Sequence, residues 1–172
     1  QSTVQRWADC VPDGFSFCLK FPRVITHEKR LIDCEAETEA FLDVIRLLGD
    51  KAAPSFLQFP ASFTRARHGR DLARYLDWFA QAAADLRIAV EVRAADLWTP
   101  AFAAFLAQRG LALLLVDRVN TPDRYGVWFD LIEAGKAPNF VVIRWIGDDK
   151  NGPTGDRELT DPRDADLERW AR

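Results

Sequence analysis

The sequence predicts an α/β fold built on parallel strands, and three observations carry that prediction. Strand-like and helix-like segments alternate along the chain. The strand-like segments are close to continuously apolar, as expected where helices cover both faces of a sheet. Each also ends, on its C-terminal side, in a polar or charged residue. Strict strand–helix alternation implies parallel strands joined by right-handed crossovers.

The elements follow in order. FSFCLKFP (15–22) reads as a strand after the turn residues Pro12, Asp13 and Gly14. Residues 35–48 read as a helix, with Phe41, Leu42, Ile45 and Leu48 on one face and Gly49 as its stop. PSFLQFP (54–60) is the next strand, bounded by prolines. Residues 70–84 follow as a helix with the stripe Leu72, Tyr75, Leu76 and Phe79. RIAVEVR (87–93) is a third strand. Thr99 and Pro100 then read as an N-cap and first-turn proline of a helix ending at Gly110. LALLLVD (111–117) is a fourth strand, 123–134 a helix, and FVVIRWIG (140–147) a fifth strand. Residues 148–163, polar with two Gly and two Pro, read as a loop before a last helix near Asp164.

Two architectures fit this order. One is an open doubly wound sheet. The other is a (β/α) barrel, which typically takes about 250 residues and eight strands. A barrel would therefore need roughly three more strands than this chain holds. The chain has no Met and starts at Gln1, so the sequence is expected to be part of a longer protein. The 172 residues are read as one domain, 1–172, an incomplete barrel on the second architecture.

Composition narrows the function classes. Apolar residues make up 48% and charged ones 28%, with six Trp and twelve Phe, so the chain is not expected to be disordered. The net charge of −3 does not offer a broad basic face for duplex DNA. Three cysteines, Cys10, Cys18 and Cys34, are odd in number and lack CxxC spacing, which fits a reducing, cytoplasmic setting. No signal peptide is evident, and the longest apolar run, 111–116, is too short to span a bilayer. No membrane partner is expected, and protein partners are left open.

The strand ends carry the functional reading. Lys20, Gln58, Glu91 with Arg93, Asp117 and Arg144 interrupt otherwise apolar strands near their C-terminal ends. Glu91 and Arg93 share a face by strand alternation, as do Leu113, Leu115 and Asp117. Unpaired buried charge is costly, so these groups should meet each other, water or a ligand. In both architectures ligands bind at the carboxyl ends of parallel strands. Lys20, Arg93 and Arg144 outnumber Glu91 and Asp117, and Arg23 and Arg118 extend the excess. The expected ligand is therefore anionic: a phosphate, a carboxylate or a nucleic-acid fragment, gripped by arginine forks. The competing reading is a self-satisfied ion network that closes the barrel mouth.

His27, just past the first strand, suits proton transfer near neutral pH. With Glu91 and Asp117 it forms the catalytic candidate set; Lys20, Arg23, Gln58, Arg93 and Arg144 form the ligand-binding set. His68, inside the basic stretch RARHGR, is expected to be solvated on a loop. Cys18 reads as core rather than nucleophile. Two histidines cannot build a multi-zinc cluster, and Asp148 and Asp149, which could bind Mg²⁺ through oxygens, read instead as a solvated acidic loop. No GxGxxG, Walker A, GxSxG or HExxH motif occurs, so no cofactor is assigned.

The segments GFSFCLKFPRVITHEKRL, FLQFPASF, AVEVR, LALLLVD and VVIRWIG, in this order and spacing, resemble the YecE-like family, domain of unknown function 72. The similarity covers most of residues 5–147, and DLERWAR (166–172) is similar to the family's next helix. The resemblance implies a TIM-type barrel of which this chain holds roughly strands three to seven. It also implies that Lys20, Arg23, His27, Gln58, Glu91, Arg93, Asp117 and Arg144 match family motif positions at the barrel's carboxyl end. One departure stands out: where the family's last motif has Leu-His-Gly, this chain has Trp145-Ile146-Gly147. The family brings no settled activity with it. The chain is therefore expected to bind an anion, as a hydrolase or lyase or as a non-catalytic binding protein.

Overall fold

Register pairs the apolar segments in sequence order. In the computed structural model, residues 3–118, 125–147 and 164–170 are described. Strand β1 (Ser55–Gln58) runs parallel to β2 (Ile88–Glu91), with Gln58 opposite Glu91. Strand β2 runs parallel to β3 (Ala112–Leu113). Strand β4 (Leu115–Arg118) runs parallel to β5 (Ile143–Gly147). All four residues of β1 and of β2 are buried, the signature of a sheet covered on both faces.

The sequence reading places one strand at 111–117, and the chain there serves two neighbours. The Leu114 amide donates to Val90 O at 3.0 Å, while the Leu115 amide donates to Val142 O at 3.0 Å. The run thus hands over from β2 on one side to the β5 segment on the other. The stretch expected as a strand at 15–22 is a correction of a different kind. Its ladder is reduced to two isolated bridges, Phe17–Ala52 just before β1 and Lys20–Phe56 on β1 itself. Between them the Ser55 hydroxyl accepts from the Leu19 amide at 3.3 Å, interrupting the backbone ladder. Strand neighbours follow chain order with no reversal among the described strands, whereas a doubly wound sheet requires one.

Helices lie between the strands: α1 (Thr3–Cys10), α2 (Glu35–Arg46), α3 (Arg65–Ala82), α4 (Pro100–Ala107), α5 (Tyr125–Glu133) and α6 (Asp164–Trp170). The sequence reading passes over α1, whose buried surface is limited to Val4. It also starts α3 five residues late. RARHGR is the first turn and a half of that helix and no loop, because Thr64 caps it by accepting from the Arg67 amide at 3.3 Å. Thr99 caps α4 in the same way, with Pro100 in its first turn as expected.

The core is a continuous cluster in which Phe21, Leu42, Leu57, Phe79, Val90, Leu106 and Trp128 are all at most 1% exposed. Each such side chain contributes on the order of 1.5–3 kcal/mol through burial. The Phe21 and Phe79 rings meet edge to face at 5.6 Å, locking the first run to α3. The Thr38 and Tyr75 hydroxyls bond at 2.9 Å, tying α2 to α3 inside the core. Among the described residues no helix is long and apolar enough to cross a membrane.

Candidate anion site at the strand carboxyl ends

Strand alternation decides which polar side chains meet. Phe56 and Gln58 lie on one face of β1, and their partners Ala89 and Glu91 lie on the same face of β2. Glu91 is fully buried. Its carboxylate accepts from Arg93 Nε at 3.1 Å and, through the other oxygen, from an Arg144 guanidinium nitrogen in a close contact. The two arginine side chains are 30% and 34% exposed, so each bonds the buried carboxylate and still reaches outward. Arg144 also sits over the Phe56 ring, 5.2 Å from its centre. Gln58 is buried next to Glu91.

The loop after the first run brings His27 to the same end. After Pro22 the chain makes a single π-helical turn, Val24–Glu28, closed by the Lys29 amide on Val24 O at 2.9 Å. Such turns recur at functional sites. Arg30, Leu31 and Asp33 then adopt left-handed backbone, with φ of 50°, 69° and 47°. Non-glycine residues hold that geometry only where their surroundings over-determine it. Here Leu31 is buried and its amide bonds Ile25 O at 3.0 Å, while Lys29 Nζ donates to Asp33 O at 2.6 Å.

His27 is half-buried, and its Nδ1 shares a hydrogen bond with the Thr26 hydroxyl at 2.8 Å. Burial, and then the charges of Arg23, Lys20 and Arg93, push its proton affinity below the ordinary histidine range; Glu28 opposes them. The neutral imidazole is thus favoured in a cationic neighbourhood. Lys20 and Arg23 are exposed, and Lys20 bridges Phe56, the ring beneath Arg144. The lip therefore carries Lys20, Arg23, Arg93 and Arg144 against one buried carboxylate.

Asp117 stands apart from this group. The ladder sets Val116 beside Arg144 and Asp117 beside Trp145, so alternation puts Asp117 one pleat away from Arg144, just before a bulge. Asp148 and Asp149 lie outside the described residues, as does the expected loop 148–163. No group of three or more metal-ligating side chains occurs among the described residues.

Sequence reasoning misses three contributors. Phe56 underlies Arg144; its place two residues before Gln58 was the available signal. Cys18 is exposed and donates to Pro54 O at 2.8 Å; burial pushes its thiol up while Arg144 pulls it down. His68 is half-buried rather than solvated. Its ring stacks on Phe63 with centroids 4.4 Å apart, and Arg30 lies 3.4 Å from its Nε2.

Known proteins bear on the fold and the family. UPF0759 protein YecE of Escherichia coli (strain K12) is 29% identical over 121 residues, covering 70% of this chain and 43% of that protein. The protein of the same name from Escherichia coli O157:H7 is 37% identical over 60 residues, covering 35% and 22%. The chain thus spans less than half the length of these relatives. A DUF72 family protein from Enterococcus faecalis V583 superposes with a TM-score of 0.65 at 24% identity, covering 87% of this chain and 61% of that one. One from Thermotoga maritima MSB8 gives 0.61 at 19%, covering 84% and 73%. Likenesses at this identity show the α/β fold alone. With a sequence match running over residues 1–172, the chain belongs to the family described as protein of unknown function DUF72.

Proposed function

We propose that the protein binds an anionic ligand at the carboxyl ends of its strands, in the mouth of a TIM-type barrel. One observation carries the reading: a fully buried Glu91 holds Arg93 and Arg144 from opposite sides, while both guanidinium groups keep part of their surface outward. A carboxylate with each oxygen engaged by an arginine is a good orienting group. Arginine forks fixed in this way present preorganised donors to a phosphate or carboxylate. Lys20 and Arg23 would add charge at the lip, and Gln58 a neutral hydrogen-bonding group. The sequential parallel strand order supports the barrel, with these strands as roughly its third to seventh and residues 1–172 as part of one domain. Free Cys10, Cys18 and Cys34 support a reducing, cytoplasmic setting.

A second reading adds catalysis. The lowered proton affinity of His27 keeps its imidazole neutral near pH 7, as a general base requires. Asp117 would then be the candidate carboxylate for acid/base work in a hydrolase or lyase, since Glu91 is engaged by two arginines.

The test is a thermal-shift titration with inorganic phosphate on the wild type, Lys20→Ala, Arg23→Ala and Arg144→Ala. Stabilisation by phosphate should shrink in all three variants. Unchanged phosphate responses in Lys20→Ala and Arg144→Ala would sink the pocket.

A further inference from the structure

We infer that the strand-end site continues outward as a track for single-stranded nucleic acid, over Arg30, Arg65, Arg67 and Arg70; this rests on the anion-site reading above. The cations among the described residues fall into two groups. Most are engaged: Arg46 with Asp43 and Asp85, Arg109 with Asp77, Arg74 with Asp71 and, beside the π-helical turn, Lys29 with Glu37. Lys51 and Arg87 donate to the carbonyls of Val11 and Ala52. Lys20, Arg23, Arg65, Arg67 and Arg70 have no side-chain partner among the described residues. Among the described residues beyond this end of the sheet, Lys136 shares that state. Among the described residues, the cations without a side-chain partner therefore gather where the strands end and α3 begins.

Arg30 joins the two halves of the track. Its Nε donates to His27 O at 3.4 Å, and a guanidinium nitrogen lies 3.4 Å from His68 Nε2, so it bridges the π-helical turn and the first turn of α3 without meeting a carboxylate. Beyond it, Arg65, Arg67 and Arg70 line a groove of about 900 Å³ between α3 and α4, together with the buried Leu97 and Phe102 and with Phe105, whose ring carries the Arg109 guanidinium over one face. A lining of cations with apolar, partly aromatic groups suits a strand whose phosphates lie along the arginines and whose bases turn inward. Asp71 lines the groove, and Asp96 accepts from the Ala66 amide at 3.2 Å.

Fluorescence polarisation with a labelled oligothymidylate of about 15 nucleotides tests this on the whole chain. Binding should weaken with salt. Arg67→Ala/Arg70→Ala should lower affinity about tenfold and reduce the slope of log K against log salt by about 1.4, two phosphate contacts at 0.7 each. Its thermal response to inorganic phosphate should stay that of the wild type. Oligonucleotide affinity unchanged in the double variant would overturn the track and leave the pocket standing. So would a phosphate response without oligonucleotide binding, or a poly-glutamate peptide that competes equally through the same arginines. Oligonucleotide binding without a phosphate response would overturn the strand-end pocket and, with it, the continuity inferred here.

Discussion

Two arginine–carboxylate groups in this molecule share their chemistry and differ in their surroundings. At the end of α2, Arg46 bonds Asp85 twice at 2.9 Å and Asp43 at 3.1 Å, with the three side chains 37%, 55% and 72% exposed. At the strand ends, Arg93 and Arg144 bond Glu91, which no solvent reaches. In the first group every charge keeps its water, so the pairing replaces little. In the second, the buried carboxylate has given up its hydration, and two arginines take the place of that water. The comparison teaches that burial of the shared partner, more than the number of bonds, decides what a pair contributes.

Removing both guanidinium groups breaks the buried side of that contrast most severely. Arg93→Ala/Arg144→Ala leaves Glu91 buried and unpaired, and about 3–5 kcal/mol of stability should be lost. Urea unfolding reads the loss as a lower midpoint. A change below about 1 kcal/mol would mean that water reaches Glu91 once the arginines go, and would dissolve the contrast with Arg46.

Glu91→Gln sharpens the same point with less damage. The amide fills the same space and removes the charge, while the arginines retain a route to solvent. The expected loss is about 1–3 kcal/mol. With the orienting charge gone, the phosphate response should also fall, although the net positive charge of the site rises. A stronger response would show that charge alone governs the site and that Glu91 does not position the arginines.

His27 supplies a subtler probe. Its folded-state pKa lies below its ordinary 6.5, so between those values the unfolded chain holds more protons. Stability from this group is therefore complete above pH 6.5 and is lost as pH falls through the folded value. Arg23→Ala removes the largest of the opposing charges and should move the imidazole titration upward, as followed by NMR. Added phosphate should move it the same way. An unmoved titration in Arg23→Ala would separate His27 from the cationic lip.

Much of this arrangement was legible in the sequence, for a physical reason. A charged residue in an apolar parallel strand has few places to go, so Glu91 and Arg144 marked the strand ends through the cost of burial, and Lys20, Gln58 and Arg93 were read with them from their matching positions in the apolar runs. Helix periodicity and the Thr99–Pro100 start were equally readable. The pairing of Glu91 with Arg144 was not, because it spans 53 positions and depends on which strand neighbours which. Nor was the handover at Leu114, since an apolar run carries no mark of which side bonds first. RARHGR misled because its charges read as a loop, while Thr64, the capping residue just before it, decided otherwise. Asp117 shows the limit of alternation: a period-2 argument names a face, yet the register against Trp145 fixes which neighbours that face has.

The smallest expected effect lies on the exposed side of the comparison. Arg46 holds the Asp85 carboxyl below the usual range through direct hydrogen bonds, so the pair's contribution is present above that range and lost as pH falls through the lowered value. Yet all its members are wet, and Arg46→Ala should cost less than about 1 kcal/mol at low salt. Raising the salt from about 0.01 M to 1 M shortens the screening length from about 30 Å to about 3 Å and should shrink even that. Part of the residual is not charge at all, because an Arg46 guanidinium nitrogen also donates to Ala82 O at 2.7 Å at the end of α3. Arg46→Gln, which can keep a donor for that carbonyl but not the charge, separates the two parts. If Arg46→Gln unfolds like the wild type in high salt while the Arg93→Ala/Arg144→Ala deficit persists there, then screening distinguishes the two groups as burial says it must.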